Sequence, residues 1–238
     1  MDPIERFKNK INILHIDLNN DQIEQYVTYY QMMIEKNRVM NLTAITEFEE
    51  VIDKHFIDSL SIVKCVDLNK VHTLIDVGTG AGFPGIPLKI AFPHLQITLL
   101  DSLNKRINFL NEVIDELGLQ NVQTCHGRAE DLGHRKEFRE KYDICTSRAV
   151  ANLSTLSEYC LPFVNIGGKF ISYKSGNVDN ELLNSDNAIR LLGGEKEKVC
   201  SYVLPETEFS RTLVSIKKIK STSKKYPRKA GTPSKEPL

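Results

Sequence analysis

A short apolar run at residues 72–77 ends in Asp76-Val77 and passes directly into Gly78-Thr79-Gly80-Ala81-Gly82-Phe83-Pro84-Gly85. No other stretch limits the fold so strongly. Closely spaced glycines after a strand permit a tight turn and let a ligand approach the backbone. Pro84 suits the first turn of a helix, where its missing N–H costs nothing. The segment therefore reads as strand, ligand-binding loop and helix.

The pattern downstream agrees. Strand-like runs at 96–101, 121–126, 142–147, 169–174, 198–204 and 211–218 follow the first. Helical periodicity at 84–91, 104–117, 151–163 and 179–192 supplies crossovers long enough for parallel strands. Pro93, Gly118, Gly127, Gly167 and Gly168 punctuate the joins. The last two strands have only a short connector, so the final strand should be antiparallel. The expected fold is α/β, a Rossmann-like, doubly wound, seven-stranded sheet.

Residues 1–66 read as a helical cap, 67–220 as the ligand-binding domain and 221–238 as a basic tail. In the cap, Ile23, Tyr26, Val27, Tyr30, Met33 and Ile34 recur at helical spacing, with Asn20 or Asp21 as the expected N-cap. A second helical pattern holds Phe48, Val51, Ile52, Phe56, Leu60 and Val63. The intervening 37–46 is a polar corner, too irregular for a helix interior. Proline and glycine in the stretch from Tyr226 predict an extended terminus.

The chain of 238 residues is net neutral, but the charge is uneven. From Lys217 onward there are eight basic residues and one acid, whereas the preceding residues carry 23 basic and 30 acidic side chains. A basic end suits either a polyanion or solvent. The five cysteines have no CxxC pair, which argues against a zinc site, and no apolar run reaches membrane-spanning length. These features predict a cytoplasmic protein with reduced cysteines and no membrane or metal partner.

Two ligands fit the glycine loop. Gly80, Gly82 and Gly85 satisfy GxGxxG, the dinucleotide fingerprint. Asp76 favours the other reading: a carboxylate beside the first glycine opposes a pyrophosphate but suits the ammonium and sulfonium of S-adenosylmethionine (SAM). Asp101 closes the second strand and is placed for ribose hydroxyls, which both ligands carry, or for capping the next helix. Glu130, in Gly127-Arg128-Ala129-Glu130-Asp131, can accept from an adenine amino group with Ala129 beside the ring, or be a loop acid.

After the fourth strand stands Thr146-Ser147-Arg148-Ala149-Val150, without the Asn/Asp-Pro-Pro-aromatic segment of enzymes that methylate exocyclic adenine nitrogens. Cys145 lies within the apolar strand and reads as core rather than as a nucleophile. No cluster suggests a general base. Guanine N7 needs none, since its lone pair is free and catalysis reduces to alignment and electrostatics.

The chain closely resembles the bacterial small-subunit rRNA guanine-N7 methyltransferases, the glucose-inhibited division protein B family. The resemblance runs through Asn41-Leu42-Thr43-Ala44-Ile45, His55-Phe56-Ile57-Asp58-Ser59-Leu60, residues 76–90, 101–110 and 147–153, and the tail 226–238. One departure is Lys174-Ser175-Gly176, where the family usually reads Lys-Gly. The resemblance implies a class I SAM-dependent methyltransferase fold and methyl transfer to N7 of one guanine in 16S rRNA, on the 30S subunit. It implies SAM contacts at Gly78, Phe83, Ala129, Glu130 and Arg148, to which strand position adds Asp101 and Ser102. Asn41, Thr43, His55, Asp58 and Arg148 become candidates for bordering the target base. Lys224, Lys225, Arg228 and Lys229 become candidate phosphate contacts, with Tyr226 able to stack on an exposed base. Arg38 suits phosphate or solvent. A monomer is expected. An NAD-dependent oxidoreductase and a non-catalytic RNA-binding assembly factor remain as alternative readings.

Overall fold

In the computed structural model, which describes residues 2–148, 151–176 and 178–238, one sheet runs in the order β3-β2-β1-β4-β5-β7-β6. Its strands are β1 (Thr73–Val77), β2 (Gln96–Asp101), β3 (Val122–His126), β4 (Tyr142–Arg148), β5 (Val164–Ser175), β6 (Gly194–Val203) and β7 (Ser210–Lys218). The first five pair in parallel, and β7 inserts between β5 and β6, antiparallel to both. The order reverses at β1, so β1 and β4 open a crevice at their C-terminal ends, where ligands bind in such sheets.

The helices are α1 (Pro3–Ile13), α2 (Asn20–Met40), α3 (Phe48–Val51), α4 (Asp58–Leu60), α5 (Gly85–Ala91), α6 (Asn104–Glu116), α7 (Ala129–Leu132), α8 (Leu153–Cys160), α9 (Asp179–Asn184), α10 (Asp186–Leu191) and α11 (Thr232–Lys235). A π-helical segment, Ile52–Ile57, joins α3 to α4. Adjacent residues of β1 feed opposite cores. Leu74 belongs to the core that also holds residues of α1, α2, α5 and α6, while Ile75 belongs to the core with residues of α7, α8 and α10. This two-sided burial is why β1 carries apolar residues on both of its faces.

The cap is fastened to the glycine loop by tyrosines. Tyr26 and Tyr29 are fully buried, and their hydroxyls donate to the carbonyls of Pro87 (2.7 Å) and Ala81 (2.6 Å). Phe7, Phe56 and Phe83 complete an aromatic cluster around them. The buried Lys10 ammonium pairs with Asp53, tying α1 to the π segment.

Several boundaries differ from expectation. The N-cap of α2 is Asn19, in a reciprocal capping box with Gln22, one residue before the expected position. The same helix runs to Met40, so the polar corner begins only at Asn41, whose left-handed backbone ends it. The 179–192 helix breaks at Ser185. Strand β5 starts well before Lys169 because the Gly167–Gly168 pair forms a bulge, with Tyr142 facing Val164 and Ile144 facing Lys169.

The terminus is not extended. Residues from Tyr226 fold back across α7 and α8 and include the short helix α11. Arg139 donates to the carbonyls of Thr222, Ser223 and Tyr226, His134 bonds to Pro227, and Ser154 donates to the carbonyl of Leu238. The prolines prevent a long helix but do not prevent docking. Ala149 and Val150, which follow β4, lie outside the described residues.

Candidate active site

The crevice holds a cavity of about 330 Å³, lined by Leu42, Thr43, His55, the Gly78–Ala81 loop, Phe83, Asp101, Ser102, Arg106 and Arg148. A neighbouring hollow of about 320 Å³ begins at Gly78 and Ser102 and continues to Ala129, Glu130 and Tyr159. Left-handed Gly78 (φ 72°) and Gly80 (φ 63°) turn the chain here, and a Cβ on Gly80 would meet only open space. That open backbone is the room a nucleoside ligand needs.

Asp76 is not in the cavity wall. Its carboxylate is fully buried behind the loop and accepts from Thr79 Oγ1 (2.6 Å), the Gly85 N–H (2.9 Å) and Thr146 Oγ1 (3.2 Å). Burial pushes its pKa up to about 6, against the lowering effect of those bonds. The expectation that this acid faces a cationic ligand is therefore corrected. It staples the loop.

Asp101 lies in the wall at 2% exposure. It accepts from the Gly80 N–H (2.9 Å), the Leu103 N–H (2.9 Å) and Arg106 (3.2 Å). The carboxylate supports the start of α6 and shapes the loop, and three bonds leave it capacity for a further donor. Arg106 lies in the first turn of α6, five residues past the acid. Glu130 is 7% exposed, and its carboxylate accepts the Gly231 N–H of the tail (2.8 Å).

Arg148 gathers the acceptor side. Its guanidinium donates to Asp58 (3.0 Å), the Lys54 carbonyl (3.1 Å) and His55 Nδ1 (3.2 Å), and lies 5.0 Å from the Phe83 ring centroid. Arg211 also donates to Asp58, at 3.0 Å. His55 stacks on Phe83 at 4.5 Å and bonds to Thr43 Oγ1 at 2.9 Å. Burial, then the Arg148 charge, pulls the His55 pKa down to about 3, so the ring is neutral. His55 and Asp58, expected to interact along one helical face, are instead bridged by Arg148. A second cavity of about 470 Å³ opens on the far side of His55 and Arg148, and Lys54, Asp58, Tyr173, Lys174 and Arg211 line it. Lys54 and Arg211 carried no sequence signal, because only the fold brings them there.

Asn41 is exposed as the C-cap of α2 and is absent from both cavity walls. In the tail, Lys224, Lys225 and Lys229 are exposed. Arg228 forms a two-pronged pair with Glu158, whose side chain is 1% exposed. Tyr226 is buried, which corrects its expected stacking on a free base. Lys218 is fully buried too, with its pKa drawn down to about 8 by burial, so it adds nothing to a surface patch.

The sheet order, with its glycine loop and strand-end acid at the crossover crevice, is that of the class I SAM-dependent methyltransferases. Solved structures of similar fold include a SAM-dependent methyltransferase from Aquifex aeolicus (TM-score 0.50, 16% identity, 68% of this chain and 90% of that one). Another is TYW2 of M. jannaschii in complex with AdoMet (TM-score 0.51, 12% identity, 63% and 70%). Residues 22–214 match the family model GidB, rRNA small subunit methyltransferase G, and the chain belongs to that family. Similar proteins bear the name ribosomal RNA small subunit methyltransferase G. That of Lachnoclostridium phytofermentans is 55% identical over 98% of this chain and 96% of its own length. That of Bacillus subtilis is 51% identical over 99% and 98%.

Proposed function

We propose that this protein methylates N7 of a guanine in 16S rRNA, using SAM. The observation that carries the reading is the pair of cavities meeting at His55 and Arg148, one on the glycine loop and one open to the surface. The first fits a nucleoside and the second can admit a base. We take residues 1–66 as the cap over both, 67–220 as the SAM-binding domain and 221–238 as the tail.

SAM supplies an electrophilic methyl group when bound. Asp101 accepts from ribose hydroxyls with its remaining lone pair, and Ser102, Gly78 and Phe83 line the same pocket. Ala129 and Glu130 border the adenine. Arg148 is held by Asp58, the Lys54 carbonyl and His55 and would be oriented by them when the methyl donor binds. The bound cofactor would supply a methyl carbon to the N7 lone pair, with the C–S electrons leaving on sulfur. No proton moves, so no general base is required. Catalysis is then alignment of three atoms in the crevice. The base must be splayed from its helix to reach the crevice. Exposed Lys224, Lys225 and Lys229 meet phosphate, with Arg228 spent on Glu158.

The test incubates labelled SAM with 30S subunits from a strain lacking the modification. Label in 16S rRNA, with chain scission at one guanine after reduction and aniline treatment, is the expected result. SAM binding without transfer would favour a non-catalytic RNA-binding factor.

A further inference from the structure

The hydroxyl of Thr43 has an unusual hydrogen-bond account. Its oxygen accepts from the Ile45 N–H (3.1 Å) and contacts His55 Nε2 (2.9 Å). The direction of the second bond is fixed by Arg148, whose guanidinium is always protonated and points an N–H at Nδ1 (3.2 Å). With Nδ1 accepting and the ring neutral, the proton sits on Nε2 and is donated to Thr43. Both lone pairs of the hydroxyl are thus taken. Its own proton has no acceptor among the described residues, yet Thr43 lines the cavity. A threonine hydroxyl that usually donates or accepts at will has become a donor only.

We infer that Thr43 donates this proton to O6 of the target guanine and thereby selects guanine over adenine. The inference rests on the methyl-transfer reading above. The reacting edge of guanine carries two acceptors, N7 and O6. N7 must keep its lone pair for the methyl group, so a donor is wanted only at O6. Adenine presents an amino group at the same place, and two donors would then face each other. Thr43 lines the glycine-loop cavity and bonds to His55, which both cavities share and past which the base must enter. Arg148 and His55 set the hydroxyl's direction through the bonds they make.

Thr43→Val removes the hydroxyl at nearly constant shape, and Thr43→Ser restores it. Methyl transfer is measured on 30S subunits carrying either guanine or adenine at the target, with SAM affinity measured by calorimetry. The expected result is a roughly 10- to 100-fold loss of kcat/KM on guanine in Thr43→Val. SAM affinity should hold, the serine variant should recover activity, and the guanine-to-adenine preference should narrow. An active wild type with an unchanged valine variant, or an unchanged preference, overturns the role of Thr43. Loss confined to SAM affinity overturns it as well, by assigning the hydroxyl to the methyl donor. A wild type inert on guanine particles sinks the methyltransferase reading itself.

Discussion

Asp58 and Arg148, ninety residues apart, meet at 3.0 Å, and the same carboxylate holds Arg211 at 3.0 Å on its other oxygen. One 4%-exposed acid therefore pairs with two guanidinium groups in the wall of the second cavity. Without it, two partly buried cations would repel each other and any sulfonium nearby.

Asp58→Ala should lose about 3–5 kcal/mol of stability, the usual cost of breaking a buried pair from one side. Urea unfolding reads the loss. Transfer activity should fall further than stability explains at temperatures where the variant stays folded, because Arg148 no longer orients His55.

Two buried groups titrate in opposite senses. The Asp76 pKa is raised from 3.8 to about 6 in the folded state, so the folded state binds the proton more tightly, and stability falls as pH rises across that window. The His55 pKa is lowered from 6.5 to about 3, so stability rises with pH between those values. The slopes oppose each other between about pH 4 and 6. Asp76→Asn should expose a rise in stability from pH 4 to 6.5, and His55→Gln a fall from pH 4 to 6. Denaturant midpoints across pH read both, and parallel curves for the two variants would refute the assignment.

Asp101→Ala should weaken SAM binding by about 1–3 kcal/mol, the worth of hydrogen bonds to a carboxylate. Calorimetry reads the change. Asp101→Asn keeps an acceptor for one backbone N–H and should lose less. Equal affinity in the wild type and the alanine variant would remove the ribose role.

The tail cations should separate into two kinds. Replacing Lys224, Lys225 and Lys229 by Ala should leave the unfolding midpoint unchanged and flatten the salt dependence of RNA binding by up to about two units of log–log slope. Arg228→Ala should instead cost about 2–4 kcal/mol by leaving the buried Glu158 carboxylate unpaired. A stability-neutral Arg228→Ala would return that residue to the phosphate group.

Much of the fold is legible in the chain. Strand β2 falls on its expected residues, and β7 is antiparallel as its short connector requires. Backbone periodicity and glycine spacing are local signals, and local physics reads them. The candidate site is legible only in part. Gly78, Phe83, Asp101, Ser102 and Arg148 gather at one crevice, but Asn41 stays outside and Asp76 turns behind the loop. A strand-end acid has two faces available, and the sequence does not say which one meets the ligand.

By itself the sequence determined where the chain turns, which runs alternate and where a ligand can approach bare backbone. Those follow from steric limits on each residue and its near neighbours. Only the tertiary structure decided that Arg148 lies against His55 and that Arg228 pairs with Glu158. A charged side chain takes whichever opposite charge or acceptor the packing brings within reach, and that partner is set by the closure of the whole sheet.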